Sequence, residues 1–490
     1  MRRVDPRTPV IIGAGQINDR QYGCEPIDLM TRCVEAALDD TGAAAAVRSS
    51  VADVRVVWGI WPYRDPGRLV AERIGAPTAR TTITTSGGNQ VYDLVIDTAA
   101  RIRSGAMETA VVCGAESLRT RRSDRARGTR TEYVAEREGA EPDERLGSDR
   151  EMFSDVENGI GLNVVARFYA MAETALRHRL REAPGEHRMR IAELWSRASH
   201  AAAHNPDAWS RTELDALTIA TESSSNRPVA SPYPKLMTSN LNVDQGGAIV
   251  MCSAAAAEAA GVPSDRWIFP WSGVGAADAW HATNRWSFDE SPGMRTSGTR
   301  TLELAGLSHD DCALIDLYSC FPVAVQVAQR ELDIDPAREF TITGGLTFAG
   351  GPLNCYCILP LTRAVRLLRA TPEQRAFLTG NGGVFTKHSA LVLSGEPPPD
   401  GFRTVDARTE VDALRSRPSP SEAATEVSLE TYTVTFDRDM APERAIMAGL
   451  DDAGSRHWAE SSDADTMREL LDTDCCERRL ALTGTTAELA

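Results

Sequence analysis

The sequence predicts an α/β protein built from two halves that share one pattern. Residues 84–90 form a glycine-containing loop, which apolar residues at helical spacing and the buried-strand sequence Thr109–Gly114 follow. The same order returns later, where a loop from Gly351 precedes helical spacing over 359–368 and the strand sequence Ala376–Gly380. A loop–helix–strand unit that occurs twice indicates internal duplication.

The elements before the first loop follow from local patterns. Val10–Ile12 has the composition of a buried strand and leads into Gly13-Ala14-Gly15. That motif lacks the third glycine of a dinucleotide-binding loop, so it is weak support for a nucleotide site. Apolar residues between 29 and 38 predict a helix, and Val54–Ile60 predicts the next strand.

The middle and the end of the chain have a different character. Residues from about 118 to 233 are charged and helical in pattern. The segments 397–401 and 417–421 are rich in proline and typical of linkers, and the alternation over 429–436 predicts a half-buried strand. We therefore expect a small, mostly β appendix at the end, with few contacts across its boundary to the core.

Size and charge exclude several classes of protein. A chain of 490 residues is long enough for two or three domains. Its net charge of −16 argues against nucleic acid or an anionic membrane as a general partner. We see no apolar stretch long enough to span a membrane and no secretory signal. Ten scattered cysteines suit reduced thiols in the cytoplasm, and their spacing matches no metal site.

Three glycine-rich segments carry the functional signal, and they are Thr84–Gln90, Gly344–Asn354 and Gly380–His388. Their order and spacing resemble the active-site loops of the thiolase superfamily, whose members make and break carbon–carbon bonds in acyl-CoA thioesters. Asn242–Ala248 and Asp316–Pro322 also resemble thiolase segments. The resemblance covers roughly residues 8 to 395.

The resemblance implies an unusual active site. In working thiolases the first loop carries a nucleophilic cysteine, the second a histidine and the third an acid/base cysteine. Alignment of the loops places Thr85, Gly351 and Gly380 at these positions. Ordinary acetoacetyl-CoA thiolysis is therefore not expected. With its added C-terminal domain the chain looks most like the thiolase-like proteins of type 1, which are usually labelled acetyl-CoA acetyltransferases.

The resemblance also implies a domain organisation. We expect a thiolase-like, duplicated, layered α-β-α-β-α fold with a small β-rich C-terminal domain. The first half would span 1–265 and include a helical loop domain at about 118–233, the second half 266–400, and the added domain 405–490. The family buries an apolar strand edge by pairing across a two-fold axis, so a homodimer is expected. The substrate would be a CoA thioester or another acyl thioester, without a covalently bound cofactor.

Four side chains are catalytic candidates. Cys320 stands where sterol-carrier-type thiolases place a cysteine, although a buried structural thiol is equally consistent. Tyr318 shares its face if the segment is extended, and its hydroxyl suits proton donation to an enolate. His388 is the natural acid/base near neutral pH, and the alternative is a structural histidine. Ser86 would need an adjacent base, and the alternative for Ser86 and Thr85 is capping of the next helix.

Other residues suit substrate binding. The amides of Asn354 and Asn381 and the main-chain N–H groups near Gly88 and Gly383 can donate to a thioester oxygen. An arginine-rich stretch from 119 to 130 suits the phosphates of CoA, and the alternative is a solvated loop. Its candidates for contact with CoA are Arg121, Arg122 and Arg125.

These residues support three hypotheses. The first is an enzyme that performs acyl transfer or Claisen/aldol chemistry on an acyl thioester. The second is an acyl-CoA- or lipid-binding protein that kept the fold without the reaction. The third is an aldolase-type scaffold that acts with a small partner protein. The first predicts that Cys320 and His388 face one cavity bounded by the glycine loops.

Overall fold

The computed structural model describes residues 4–148, 150–412, 415–420 and 423–489. The first half and the middle region contain β1 (Pro9–Asn18), α1 (Pro26–Asp40), α2 (Ala44–Ser50), β2 (Asp53–Val56), α3 (Pro66–Arg73), β3 (Arg80–Thr84), α4 (Gln90–Ser104), β4 (Thr109–Ser117), α5 (Leu118–Arg127), β5 (Glu144–Leu146), α6 (Asp155–Gly159), α7 (Val165–Leu180), α8 (Pro184–Ala203), α9 (Ala216–Ala220), β6 (Pro228–Ala230), β7 (Tyr233–Pro234), β8 (Asp244–Ser253) and α10 (Ala254–Ala259).

The second half and the end of the chain contain β9 (Phe269–Ala277), α11 (Pro292–Ala305), β10 (Leu314–Asp316), α12 (Pro322–Glu331), α13 (Gly345–Phe348), α14 (Ile358–Ala370), β11 (Arg375–Gly382), β12 (Lys387–Ser394), β13 (Arg403–Asp406), α15 (Arg408–Asp412), β14 (Glu426–Phe436), β15 (Pro442–Leu450), β16 (Arg456–Ser461), α16 (Ala464–Asp472), β17 (Arg479–Thr483) and β18 (Thr486–Leu489). Within the described ranges, no helix is both long and apolar enough to cross a lipid bilayer.

The two halves repeat one sheet topology. The first sheet has the order β1-β8-β4-β2-β3-β5, and the second has the order β10-β11-β12-β9-β13. Four strands of each sheet correspond, because β2-β4-β8-β1 matches β10-β11-β12-β9. The helices α4 and α14 contact strands of both sheets, whereas α1 packs on the first sheet and α11 on the second. The predicted layered, duplicated α/β fold is therefore confirmed.

The glycines of β1 serve helix packing. A Cβ at Gly15 would lie 2.7 Å from the main-chain nitrogen of Ala37 in α1, and a Cβ at Gly13 would collide with the same turn. The strand itself pairs antiparallel with β8 along its length. The motif 13–15 thus allows α1 to approach the sheet closely, which explains why it lacks the rest of a nucleotide-binding loop.

Beyond the four shared strands, the first sheet adds β3 and the edge strand β5, and the second sheet adds the edge strand β13. β5 pairs in parallel with β3 over Thr82–Thr84, and β13 pairs in parallel with β9 over Ser272–Gly275. A strand edge that is already paired offers fewer free main-chain groups to another chain. The edge that the sequence analysis assigned to a dimer contact is thus partly occupied by the chain itself.

The C-terminal sheet packs closely on the rest of the chain. Its seven strands have the order β15-β16-β18-β17-β14-β6-β7, so it includes two strands from the middle region. Thr431 donates a hydrogen bond to the Met171 carbonyl, and the fully buried Arg456 donates to the carbonyls of Ala282, Thr283 and Arg285. The expectation that few contacts cross the boundary between the core and the C-terminal domain is wrong. A proline-rich sequence indicates a linker, but it does not indicate how closely the parts that it connects will pack.

Arg456 should be a main stabilising residue of this contact. Its guanidinium also binds Glu430 through two hydrogen bonds of 2.6 and 2.7 Å. Arg456→Ala leaves three carbonyls without this donor and leaves Glu430 with only the longer contact from Arg417, so we expect the free energy of unfolding to fall by about 3–5 kcal/mol in denaturant titration. The control Arg468→Ala removes an exposed pair with Asp465 and should cost less than about 1 kcal/mol. Equal effects would contradict the assignment.

Candidate functional site

The three glycine-rich loops meet at the N-terminus of α4. The main-chain N–H of Gly87 donates to the Asn354 side-chain oxygen at 3.0 Å, and the Asn354 amide donates to the Trp58 carbonyl at 3.1 Å. A Cβ at Gly382 would lie 3.0 Å from the Cα of Gly87. The first, second and third loops therefore touch one another, and Asn354 bridges two of them.

The start of α4 differs from the capping that the sequence offered as an alternative. The capping residue is Asn89, and its side chain makes no capping bond. Instead the Asn89 amide donates to Asp93 one turn later, at 2.9 Å. Ser86 and Thr85 lie upstream of the cap, so helix capping explains neither hydroxyl.

Tyr318 points at this helix end. Its hydroxyl oxygen and the main-chain oxygen of Asn381 occupy the space where a Cβ on Gly88 would stand, the latter 2.5 Å from that point. Burial raises the pKa of Tyr318 well above its usual value, so the phenol is protonated at neutral pH. Among the described residues the Tyr318 hydroxyl has no hydrogen-bond partner, and it is available to donate to a ligand.

Cys320 lies deeper than Tyr318. It precedes α12, is 7% exposed, and has its thiol beside Tyr169, whose ring stacks on Phe321 at 4.6 Å. Burial raises the pKa of Cys320 to about 12, because the apolar surroundings penalise the thiolate. A thiol held in its neutral form is a poor nucleophile, which favours the structural alternative for this side chain.

His388 belongs to a separate polar cluster. Its Nε2 lies 3.0 Å from the Ser291 hydroxyl, 3.0 Å from the Phe385 carbonyl and 3.3 Å from Asp278. The ring is 1% exposed and its Nδ1 is buried without a partner among the described residues. No described contact joins His388 to Cys320. The geometry therefore brings Tyr318 to the glycine loops but does not join the predicted cysteine–histidine pair.

The other predicted oxyanion groups are partly engaged. The Asn381 amide donates to the Tyr169 hydroxyl at 3.0 Å, and that hydroxyl donates to the Gly383 carbonyl at 3.0 Å. The Asn381 side-chain oxygen is buried without a partner within the described ranges. The Asn381 side chain thus contacts Tyr169, whereas Gly88 and Asn354 lie at the N-terminus of α4.

Lys387 is a residue of this site that the sequence analysis missed. Its ammonium donates to the Ser86 carbonyl, and both Nζ and Cε would lie 3.1 Å from a Cβ on Gly87. Burial lowers the pKa of Lys387, while Asp93 raises it. The signal was present in the sequence, because Lys387 directly precedes His388 in the third glycine-rich segment.

Buried polar atoms without partners are concentrated around the end of α4. In the described part of the chain they include the Thr85 hydroxyl and the side-chain oxygens of Asn89 and Gln90, with the hydroxyls of Tyr92 and Ser319 nearby in sequence or across the loops. Buried polar atoms normally find a partner, and a group of exceptions needs an explanation such as water or a ligand. These atoms make the N-terminus of α4 a candidate binding site.

Two buried carboxyl groups lie on the strands next to these loops. Burial raises the pKa of Glu116, at the end of β4, to about 8, against the opposing effects of the Ile60 N–H and of Arg121. Burial likewise raises the pKa of Asp316, which precedes Tyr318, to about 7, although Thr341 donates to it. Such values are common at functional sites, and they make both groups sensitive to pH near neutrality.

The arginine candidates for CoA contact lie together on α5. Arg121, Arg122 and Arg125 are exposed, and Arg121 donates to the Ile60 carbonyl at 2.7 Å. A short exposed helix with basic side chains fits both the phosphate site and the solvated surface that the sequence left open.

One group of potential metal ligands occurs away from the loops. Within the described residues, His178, Asp474 and Cys476 have ligand atoms within 4.8 Å of one another, at the contact of α7 with the C-terminal sheet. The Arg177 guanidinium lies 3.5 Å from Asp474 and opposes a further cation there. The expectation of no metal site stays a prediction.

The C-terminal region and the whole chain have known relatives. Residues 406–483 match the family described as thiolase-like protein type 1 additional C-terminal domain. The crystal structure of a monomeric SCP2-thiolase like protein type 1 from Mycobacterium smegmatis is 29% identical, matches 100% of both chains and has a TM-score of 0.86. The matched C-terminal domain and the whole-chain likeness both point to the thiolase superfamily and, within it, to the thiolase-like proteins of type 1. No curated protein sequence matches it.

More distant members of the superfamily share the fold alone. The Ltp2-ChsH2(DUF35) aldolase is 20% identical with a TM-score of 0.61, covering 80% of this chain and 98% of that one. Human mitochondrial 3-ketoacyl-CoA thiolase in complex with CoA is 18% identical with a TM-score of 0.57, covering 79% and 98%. The named thiolase and aldolase are enzymes, and the thiolase binds CoA.

We expect Glu116 to make the stability of the folded protein depend on pH. Its pKa in the folded state lies above the ordinary value of 4.5, so the folded protein binds an extra proton between about pH 4.5 and pH 8 and loses stability as pH rises through that window. Glu116→Gln keeps an acceptor for the Ile60 N–H and cannot ionise. We expect it to raise the free energy of unfolding on the order of 2 kcal/mol above the window and to change little below it.

The matched control for this experiment is Glu138→Gln, which alters an exposed carboxyl group. Thermal or denaturant unfolding at both ends of the pH window measures the difference. A gain that is the same at low and high pH would show that Glu116 is not protonated in the fold.

Proposed function

We propose that this protein binds an acyl thioester at the N-terminus of α4 and catalyses an aldol- or Claisen-type carbon–carbon step in which Tyr318 moves the proton. The observation that carries the proposal is the Tyr318 hydroxyl, which abuts Gly88 without a protein partner in the described ranges. A protonated phenol beside main-chain N–H groups is suited to a substrate that develops negative charge on oxygen.

The proposed carbon–carbon cleavage involves no oxidation or reduction and uses proton transfer alone. In the cleavage direction, the Cα–Cβ bond of a β-hydroxyacyl thioester breaks to leave a ketone or aldehyde and a thioester enolate. As this bond breaks, Tyr318 takes up the β-hydroxyl proton and gives its own proton to Cα in the same step, so the phenol ends unchanged. The N–H groups at the end of α4 and the helix dipole stabilise the charge on the thioester oxygen.

Covalent acyl transfer through Cys320 receives less support. The high pKa of its thiol and its place beside Tyr169 keep it neutral. His388, the expected proton acceptor, bonds instead to Ser291 and Phe385. Acyl transfer therefore remains the general class of the proposed reaction, and we assign the proton transfer to Tyr318.

CoA is the proposed carrier of the acyl group. The support is the CoA complex of the human thiolase, which shares the fold, together with the exposed cations Arg121, Arg122 and Arg125. Salt should weaken this contact, because exposed phosphate–arginine pairs are screened.

A cytoplasmic location is part of the same proposal, and it is supported by ten cysteines that are all free thiols.

The second candidate function is binding of an acyl-CoA or lipid without turnover. It is favoured by the engagement of Cys320 and His388 in structural contacts. The third hypothesis is a scaffold that acts with a small partner protein. Its support is the structural likeness to the Ltp2-ChsH2(DUF35) aldolase. Mass spectrometry after incubation with a panel of β-hydroxyacyl- and β-ketoacyl-CoAs separates turnover from binding.

Tyr318→Phe tests the proposal directly. We expect turnover of the best acyl-CoA to fall by about 10²–10⁴-fold, because the proton donor is lost, while the dissociation constant changes only a few-fold. The control Tyr63→Phe removes a buried hydroxyl that likewise has no partner among the described residues, away from the loops, and should keep turnover. Full activity in Tyr318→Phe would refute the role, and loss of binding alone would favour the second candidate.

We also propose that the protein works as a monomer in place of the predicted homodimer, which is unconfirmed. The support is the strand β5 on the edge of β3 and the relative from Mycobacterium smegmatis, which is described as monomeric. Light scattering at micromolar concentration should give one chain's mass, 53.1 kDa. A stable dimer of twice that mass would restore the original prediction.

A further inference from the structure

Arginine supplies almost all of the positively charged side chains of this chain. Of its 53 lysines and arginines, only Lys235 and Lys387 are lysines. Lys235 is exposed, whereas Lys387 is 8% exposed and lies at the glycine loops. One of the two lysines is thus buried at the proposed active site, in a chain that otherwise uses arginine for positive charge.

The type of side chain matters at this position. Arginine stays charged in proteins, while a lysine amine loses its proton when its surroundings disfavour the ammonium. Lys387 is buried, and it lies beside the positive end of the α4 dipole, which also disfavours the ammonium. Asp93 acts in the opposite direction, so burial and the dipole compete with one carboxylate.

The amine borders a cavity. A space of about 510 Å³ is lined by Lys387 and His388 together with Asn89, Gln90, Asp93 and Trp280. The Nζ atom lies 5.6 Å from the centre of the Trp280 ring and donates to the Ser86 carbonyl. The additional edge strands β5 and β13 supply other parts of the wall, at Leu146 and Thr404. The two edge strands therefore form part of the cavity wall.

The amine and the phenol flank neighbouring residues of one loop. Lys387 stands against Gly87, and Tyr318 stands against Gly88. A carbonyl compound bound in the cavity would have the Lys387 amine within its reach. Lys387 thus offers a nucleophile next to a site in which Cys320 and His388 are otherwise engaged.

We propose that Lys387 forms a Schiff base with a ketone or aldehyde group of the substrate, which points to a β-ketoacyl thioester or the carbonyl fragment of the aldol step. The neutral amine attacks the carbonyl carbon, a C–N bond forms, and the oxygen leaves as water after proton transfer. In a β-ketoacyl thioester the neighbouring carbon of the iminium gives up a proton to the released water, and the enamine that results forms the carbon–carbon bond at that carbon. Water then hydrolyses the C–N bond, which restores the ketone and the free amine. The assignment of the substrate rests on the proposed function.

Reductive trapping tests the inference on the full chain. The protein is incubated with acetoacetyl-CoA, or separately with hexanal, in the presence of sodium cyanoborohydride, and peptide mapping locates the secondary amine. We expect labelling of Lys387 to exceed that of Lys235 about tenfold or more, since a buried, less protonated amine reacts faster. Lys387→Arg retains a cation for the Ser86 carbonyl and should lose the adduct, while Lys235→Arg should keep it.

The possible outcomes test the Schiff-base inference and the proposed thioester function separately. Equal labelling of the two lysines, or no label on Lys387 with either probe, overturns the Schiff-base assignment. If calorimetry shows that acetoacetyl-CoA binds but Lys387 remains unlabelled, the inference fails and the proposed function stands. If hexanal labels Lys387 selectively while no acyl-CoA binds, the reactive amine stands and the thioester function fails.

Discussion

The close approach of three loops at the N-terminus of α4 is the constraint on which the site depends. Side chains at Gly87, Gly88 or Gly382 would collide with Asn89, Tyr318 or neighbouring backbone. The absence of these side chains lets Tyr318 and Lys387 reach the helix end from different elements. The duplicated sheets hold the loops in place, because α4 is packed between them.

This geometry concentrates positive potential and unpaired hydrogen-bonding groups in a small buried volume. The free N–H groups of a helix start favour an anion or an oxygen with developing charge. Thr85, Asn89 and Asn381 add buried oxygens without partners in the described part of the protein. Such groups cost stability in the empty protein, and a ligand or ordered water would recover that cost.

The sequence was sufficient for the fold but only partly for the site. The recurring loop–helix–strand pattern located α4 and α14, because periodicity reports which faces are buried. Tyr318 reaches the loop as its position in the extended segment implied. The separation of Cys320 from His388 could not be predicted, since their surroundings depend on the packing of α7 and α11. Lys387 was overlooked because burial, which gives it its chemistry, is a tertiary property.

The composition of the C-terminal sheet has a consequence for biosynthesis. β6 lies near residue 230, yet its partner β14 begins at Glu426 and the sheet ends with β18 at Leu489. The middle segment must therefore wait, with one strand edge unpaired, until β14 has left the ribosome. Domains usually fold as they emerge, from the N-terminus onward. Here a strand of the middle region depends on a partner that is synthesised much later, so a chain that terminates before Glu426 should be prone to aggregation.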